Sequence, residues 1–278
     1  MYRFKSVFLS IVALAAALPY APARAELMLH PTRLVFEKNQ RAAQIELINN
    51  GTQPATYRIS VVNRRMTEGG QFEAADTPNP DERFADAMLR FSPRQVTLQP
   101  GTAQTVRVML RKPADLADGE YRSHLQFEKL PDADGADSIN RQAPGASGIG
   151  VVLNALVGAS VPVIVRQGTT SAQVSLAGLA LDAAASKEPT LQLRFERAGS
   201  SSVYGDVAVS FTPQGGQPQT LAQVGGIAVY TPNRTRQAAL PLQVPVGVRL
   251  AHGQLTVVYR ERVDAGGAVL AQAHLDLP

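Results

Sequence analysis

Few residues in this chain have the types and spacing that catalysis needs. No cysteine occurs among its 278 residues, which excludes disulfides, thiolate zinc sites and thiol nucleophiles. His30, His124, His252 and His274 are scattered, without the H-x-x-H or H-E-x-x-H spacing that clasps a metal. Ser147 lies in Gly-Ala-Ser-Gly-Ile, which fails as a nucleophile elbow because Ile149 stands where a second glycine is required. The glycine-rich stretch from Gly145 to Gly150 lacks both G-x-G-x-x-G order and a following helix, so it offers no dinucleotide cradle. No paired carboxylates have a distinctive context. The expectation is a chain with no metal, no cofactor and no enzymatic activity.

Binding chemistry is better represented. From Ile149 to Val165 every odd position is apolar: Ile149, Val151, Leu153, Ala155, Val157, Ala159, Val161, Val163 and Val165. A strand has period two, so these side chains share one face. The run is about twice the usual strand length. It also emerges from a polar, flexible-looking stretch, Pro131 to Gly148, rather than from a tight turn. A strand that outruns its own sheet is an aggregation hazard unless it serves to bind another chain. The ordinary alternative is a strand covering a sandwich core.

The elements around it are of one kind. Short alternating runs span Leu27–Phe36, Ala42–Asn49, Tyr57–Val61, Met88–Leu98 (broken at Pro93), Val106–Leu110 and Tyr121–Leu130, separated by turns such as Asn50-Gly51, Pro100-Gly101 and Asp118-Gly119. Further runs follow at Gln173–Leu179, Thr190–Glu196, Asp206–Thr212, Gln219–Tyr230, Gln237–Leu242, Gln254–Arg262 and Val269–Leu277. This spacing predicts an all-β sandwich or barrel. Leu176–Ala185 could hold one turn of helix, although Gly178 argues against it. Arg64-Arg65 reads as a solvated charge pair at a strand end. Gln167–Ser171 reads as a hinge between two halves.

The N-terminus has a basic start, an apolar run from Val7 to Leu18 and an Ala23-Arg24-Ala25 end, the pattern of a cleaved signal peptide over residues 1–25. Removing those 25 of 278 residues leaves 253, and takes three of the 27 basic residues but none of the 23 acidic ones. The mature chain is then close to neutral, with no electrostatic case for nucleic acid. The absence of tryptophan, with aromatics at only 6%, also argues against a base- or sugar-stacking platform. No later stretch is long and apolar enough to span a membrane. The expected location is outside the cytoplasm, and the Asn50-Gly51-Thr52 sequon is only formal if that location is a bacterial periplasm.

Six segments, in order, carry a resemblance: Thr32-Arg33; Ile45-Glu-Leu-Ile-Asn49; Phe91-Ser-Pro93 with Leu98-Gln-Pro-Gly101; Val106-Arg-Val-Met-Leu110; Asp118-Gly-Glu-Tyr-Arg122; and Val163-Ile-Val-Arg166. Together they resemble the PapD-like periplasmic chaperones of the chaperone–usher pilus pathway, over roughly Leu27 to Arg166. The second half matches in architecture only.

The resemblance implies two Ig-like β-sandwich domains set in an L, at 26–166 and 172–278, joined by a hinge at 167–171. It implies pilus or fimbrial subunits and an outer-membrane usher as partners. The function implied is periplasmic: subunits are stabilised by a donated strand and then delivered for assembly. The donor residues would be Ile149, Val151, Leu153, Ala155, Val157 and Ala159. Arg33 falls where the family holds the subunit's C-terminal carboxylate. The lysine that accompanies it in the family aligns with Pro162, which has neither charge nor N–H. Glu120 and Arg166 match a pair that fixes the interdomain angle. Two rivals are a structural envelope protein with two Ig-like domains, its long strand in the core, and a secreted hydrolase on a sandwich scaffold.

Overall fold

The computed structural model describes residues 26–131, 158–183 and 188–278. Within them the regular elements are strands, apart from two single-turn 3-10 helices at Asp86–Met88 and Val263–Ala265. The first eleven strands are β1 (Leu27–His30), β2 (Leu34–Phe36), β3 (Ala42–Asn49), β4 (Ala55–Val62), β5 (Arg64–Met66), β6 (Phe72–Ala74), β7 (Leu89–Ser92), β8 (Gln95–Leu98), β9 (Ala103–Leu110), β10 (Gly119–Lys129) and β11 (Gly158–Gln167). They form a sandwich of two sheets, in the orders β1-β3-β9-β7 and β2-β11-β10-β4-β8, with β5 and β6 as a separate hairpin.

The core follows from alternation. Ile45 and Leu47 on β3, Val106 and Val108 on β9, Leu125 and Phe127 on β10, and Val163 and Val165 on β11 are all fully buried between the sheets. Each such side chain contributes about 1.5–3 kcal/mol on burial. Leu27–Phe36 and Met88–Leu98 each divide into two strands because the chain changes sheet at a proline. Pro31 separates β1 from β2, and Pro93 separates β7 from β8. Proline cannot donate to a ladder, so it fits the step between sheets. Each edge of the sandwich is thus flanked by a segment that passes from one layer to the other.

The remaining strands are β12 (Ala172–Asp182), β13 (Thr190–Gly199), β14 (Val203–Pro213), β15 (Gln219–Val229), β16 (Thr235–Pro241), β17 (Gly253–Arg260) and β18 (Val269–Leu277). They stack as β12-β13-β16 against β15-β14-β17-β18, around a second core that includes Leu191, Phe195, Phe211, Val257 and Tyr259. Both sandwiches have the Greek-key strand order of immunoglobulin-like folds, antiparallel apart from the β2–β11 pair. No helical turn forms at Leu176. β12 continues through it, with a register shift between Ala177 and Ala180 at Gly178, whose φ of +62° suits glycine.

A short link without strand structure follows Gln167. Gly168 has φ +63°, and a side chain there would collide with the Asp118 carboxylate, so the turn out of β11 needs glycine twice over.

Candidate functional site

A cleft of about 700 Å³ lies between the two sandwiches, bordered by Arg33, Arg166, Ser202, Tyr204 and Arg262. The step from β1 to β2 delivers Arg33 to it. β2 pairs in parallel with β11, starting at Leu34 opposite Val163, so Arg33 and Pro162 come side by side one residue earlier. Leu34 and Phe36 turn into the first core. The alternate positions, Arg33 and Val35, therefore face the second sandwich.

Arg33 is half-buried and lacks an ionic partner. Its guanidinium carbon lies 4.6 Å from the centre of the Tyr204 ring and 5.9 Å from that of Tyr230. Nη2 donates a long bond to Ser202 Oγ at 3.4 Å, and Nε is buried without a partner. Among the described residues, no carboxylate lies within 4 Å of it. Neighbouring acids are engaged elsewhere: Glu37 with Arg166 at 2.5 Å and Asp264 with Arg262 at 3.4 Å. The arrangement leaves one cation open to an incoming anion.

Glu120 and Arg166 are directly opposed in the β10–β11 register. Arg166 Nε donates to Glu120 Oε2 at 3.1 Å, and the Glu120 side chain has no exposed surface. The same oxygen accepts from Ser202 N and Ser202 Oγ, both at 3.0 Å, while Oε1 accepts from Thr231 Oγ1 at 3.3 Å. Arg166 also donates to Ser202 O at 3.3 Å. One buried carboxylate thus ties the last strands of the first sandwich to two loops of the second.

A second contact between the sandwiches has no counterpart in the sequence reading. The hairpin of β5 and β6 reaches the second sandwich. Met66 O accepts from Asn233 Nδ2 at 2.7 Å, and Glu68 O accepts from Gln237 N at 2.7 Å. Met66, Ile164, Ala228 and Tyr230 form an apolar cluster beneath it. Arg64 and Arg65 are not a free solvated pair. Arg65 makes two bonds to Glu82, at 2.7 and 2.6 Å, and Arg64 donates to Gln126 at 2.7 Å.

Beside this contact the outward face of β10 continues past Glu120 with Arg122 and His124, 6% and 1% exposed. Arg122 lies 4.3 Å from the Tyr230 ring centre and 5.9 Å from that of Phe72, and donates only to Arg64 O, at 3.2 Å. Its Nε and Nη1, and both ring nitrogens of His124, are buried without partners. Burial, then Arg122 and Arg64, push the His124 imidazole down to about 3, so it is neutral at ordinary pH. Burial likewise lowers the Arg122 guanidinium and raises the Tyr230 hydroxyl.

Of the six predicted donor residues, the structure describes Ala159. It is half-buried on β11 opposite Phe127, on the face shared with Val161, Val163 and Val165. Ile149, Val151, Leu153, Ala155 and Val157 lie outside the described residues, as does the signal pattern before Glu26. β2 covers the outer edge of β11 only at Val163–Val165. Among the described residues nothing pairs with that edge from Gly158 to Pro162.

Residues 26–166 match the family described as pili and flagellar-assembly chaperone, PapD N-terminal domain. Among solved structures, the chain is similar to the YadV chaperone, at 13% identity over 90% of this chain and 100% of that one, with a TM-score of 0.48. It is also similar to the CupB2 chaperone of Pseudomonas aeruginosa, at 10% identity, 90% and 100% coverage and a TM-score of 0.42. A third is the Salmonella enterica SafB chaperone, solved in complex with SafA pilin, at 15% identity, 92% and 99% coverage and a TM-score of 0.42. No curated protein matches the chain at a significant level.

Proposed function

Because this chain belongs to the PapD family of pili and flagellar-assembly chaperones, we propose that it captures pilus or fimbrial subunits in the periplasm by lending them a strand. The subunit then passes to an outer-membrane usher. The observation that carries this reading is the outer edge of β11 from Gly158 to Pro162, which nothing among the described residues pairs with and which ends beside the Arg33 guanidinium, whose Nε has no partner. A strand added along such an edge gains backbone bonds, and side chains at alternate positions supply specificity. The unbroken apolar alternation of Ile149, Val151, Leu153, Ala155, Val157 and Ala159 supports the same strand as the donor. Arg33 then anchors the subunit's C-terminal carboxylate through charge-assisted bonds. Glu120 and Arg166 hold the two sandwiches, 26–166 and 172–278, at the angle that shapes the cleft, with 167–171 as the hinge between them. Residues 1–25 direct export, and the mature chain begins at Glu26.

The test separates donor from core. Leu153→Asp and Val157→Asp should abolish subunit capture, because each places a charge in an apolar pocket of the client, while thermal unfolding of the free chain stays unchanged. A collapse in melting temperature without client would assign these residues to the chain's own core and overturn the donor reading.

A further inference from the structure

We propose that the cationic row between β10, the β5–β6 hairpin and Tyr230 is a binding site for a small inorganic anion. Its elements are Arg122 and His124, two residues apart on one face of β10, and Arg64 on β5. Arg122 Nε and Nη1, Arg64 Nε and both nitrogens of His124 are buried without hydrogen-bond partners. Arg122 itself is only 6% exposed.

Buried polar groups are almost always paired, and a buried charge without a counter-charge is costlier still. Glu120 and Glu82 favour the Arg122 charge through space, but neither bonds to it. Glu82 is held by Arg65, and Glu120 by Arg166, Ser202 and Thr231. Among the described residues, no carboxylate lies within 4 Å of Arg122 or Arg64.

The aromatic neighbours meet a different need. Tyr230 and Phe72 offer ring faces to the Arg122 cation, at 4.3 and 5.9 Å, but a ring face does not satisfy its in-plane N–H groups. One backbone carbonyl, Arg64 O, takes a single donor. Water could accept the remaining bonds but would place no negative charge directly against Arg122. A small anion does both. It also explains how Arg122 and Arg64 can flank a neutral histidine. This site is separate from Arg33's role and does not depend on subunit capture.

The experiment uses the mature chain without client. Sodium phosphate and sodium chloride are titrated separately, with ionic strength held constant by a bulky organic anion. Melting temperature and the His124 ring NMR signals are followed. The site predicts a saturable rise of about 2–4 °C with at least one of the two anions, the scale of about 1 kcal/mol for a chain of this size. His124 signals should shift over the same concentration range. Arg122→Gln should remove both responses, and Arg122→Lys should retain part of them. If Arg122→Gln does not fold, Arg64→Gln replaces it and should weaken the anion at least tenfold. Stronger binding of phosphate identifies an oxyanion site, and stronger binding of chloride a halide site. A response that follows ionic strength alone, or one unchanged in Arg122→Gln or Arg64→Gln, overturns the proposal.

Discussion

Glu120 and Arg122 stand two residues apart on the same face of β10, and both are buried where the second sandwich meets the first. Glu120 accepts four hydrogen bonds, three of them from the second sandwich. Arg122 has one side-chain hydrogen bond, two ring faces and two nitrogens, Nε and Nη1, without a partner. The first is a completed latch, whose charge is matched by Arg166 and whose oxygens are engaged. The second is closed in by aromatic rings and has no carboxylate bonded to it among the described residues. One strand face thus holds two kinds of buried charge: one bonded across to the second sandwich and one with unfilled donors. Arg33 stands between them. It touches Ser202, which bonds Glu120, and Tyr230, which stacks on Arg122.

Breaking the latch should have the largest effect. Glu120→Ala leaves Arg166 without its buried carboxylate and Ser202 without an acceptor, so a stability loss of about 3–5 kcal/mol is expected in chemical denaturation. A loss below about 1 kcal/mol would mean that the latch does not hold the sandwiches together.

Next comes acid sensitivity on the cationic side. His124 is held near 3 in the folded chain, against 6.5 when unpaired and exposed. Only the unfolded chain binds the proton between those values. The contribution of the neutral imidazole is therefore intact above pH 6.5 and drains as pH falls toward 3. The slope is at most about 1.4 kcal/mol per pH unit. His124→Phe should flatten that slope in denaturant midpoints measured from pH 7 to pH 4.5. An unchanged slope would place the acid sensitivity elsewhere.

Arg33 tests the boundary between the two. Arg33→Ala should weaken subunit binding by about 10- to 100-fold, since a charge-assisted bond contributes about 1.5–3 kcal/mol. Stability should change little, because Ser202 retains Glu120. Amidating the client's C-terminus should reproduce the loss in the parent chain and add nothing in the variant. Pro162 supplies no second cation, which concentrates the dependence on Arg33.

The smallest effect is expected at Arg122. Arg122→Met removes a buried charge that no carboxylate among the described residues bonds, and keeps the packing against Tyr230 and Phe72. In anion-poor buffer its stability should lie within about 1 kcal/mol of the parent, or above it, as apolar replacements of buried charges often do. A loss as large as that of Glu120→Ala would erase the contrast between the two residues.

Much of this architecture can be read in the sequence. Period-two alternation marks Ile45–Leu47, Val106–Val108 and Leu125–Phe127 as core, because one apolar face per strand must be buried. The prolines at 31 and 93 mark breaks, although alternation alone does not reveal that each break is a change of sheet. Arg33, Glu120 and Arg166 were found through family resemblance. Geometry adds that Glu120 and Arg166 are cross-strand partners and that, among the described residues, Arg33 has no carboxylate beside it. The cationic row was missed for a physical reason. Glu120, Arg122, His124 and Gln126 alternate with Tyr121, Leu125 and Phe127, and a polar face normally means solvent. Here that face is covered by the β5–β6 hairpin, a three-residue pairing on each side of a turn, too short for periodicity to show. Arg64-Arg65 was misread for the same reason, since its partners, Gln126 and Glu82, lie 62 and 17 residues away.

The central claim is that β11 completes another chain's sheet through its outer edge. Amide hydrogen exchange measured on the chain alone, and on its complex with a pilus subunit, tests it directly. Strand donation predicts at least tenfold slower exchange at the outward-facing amides between Gly158 and Val161 when the subunit is bound, with the second core unchanged. If those amides exchange at the same rate in the complex, or if protection appears only on the second sandwich, β11 is not the donor and the account is wrong.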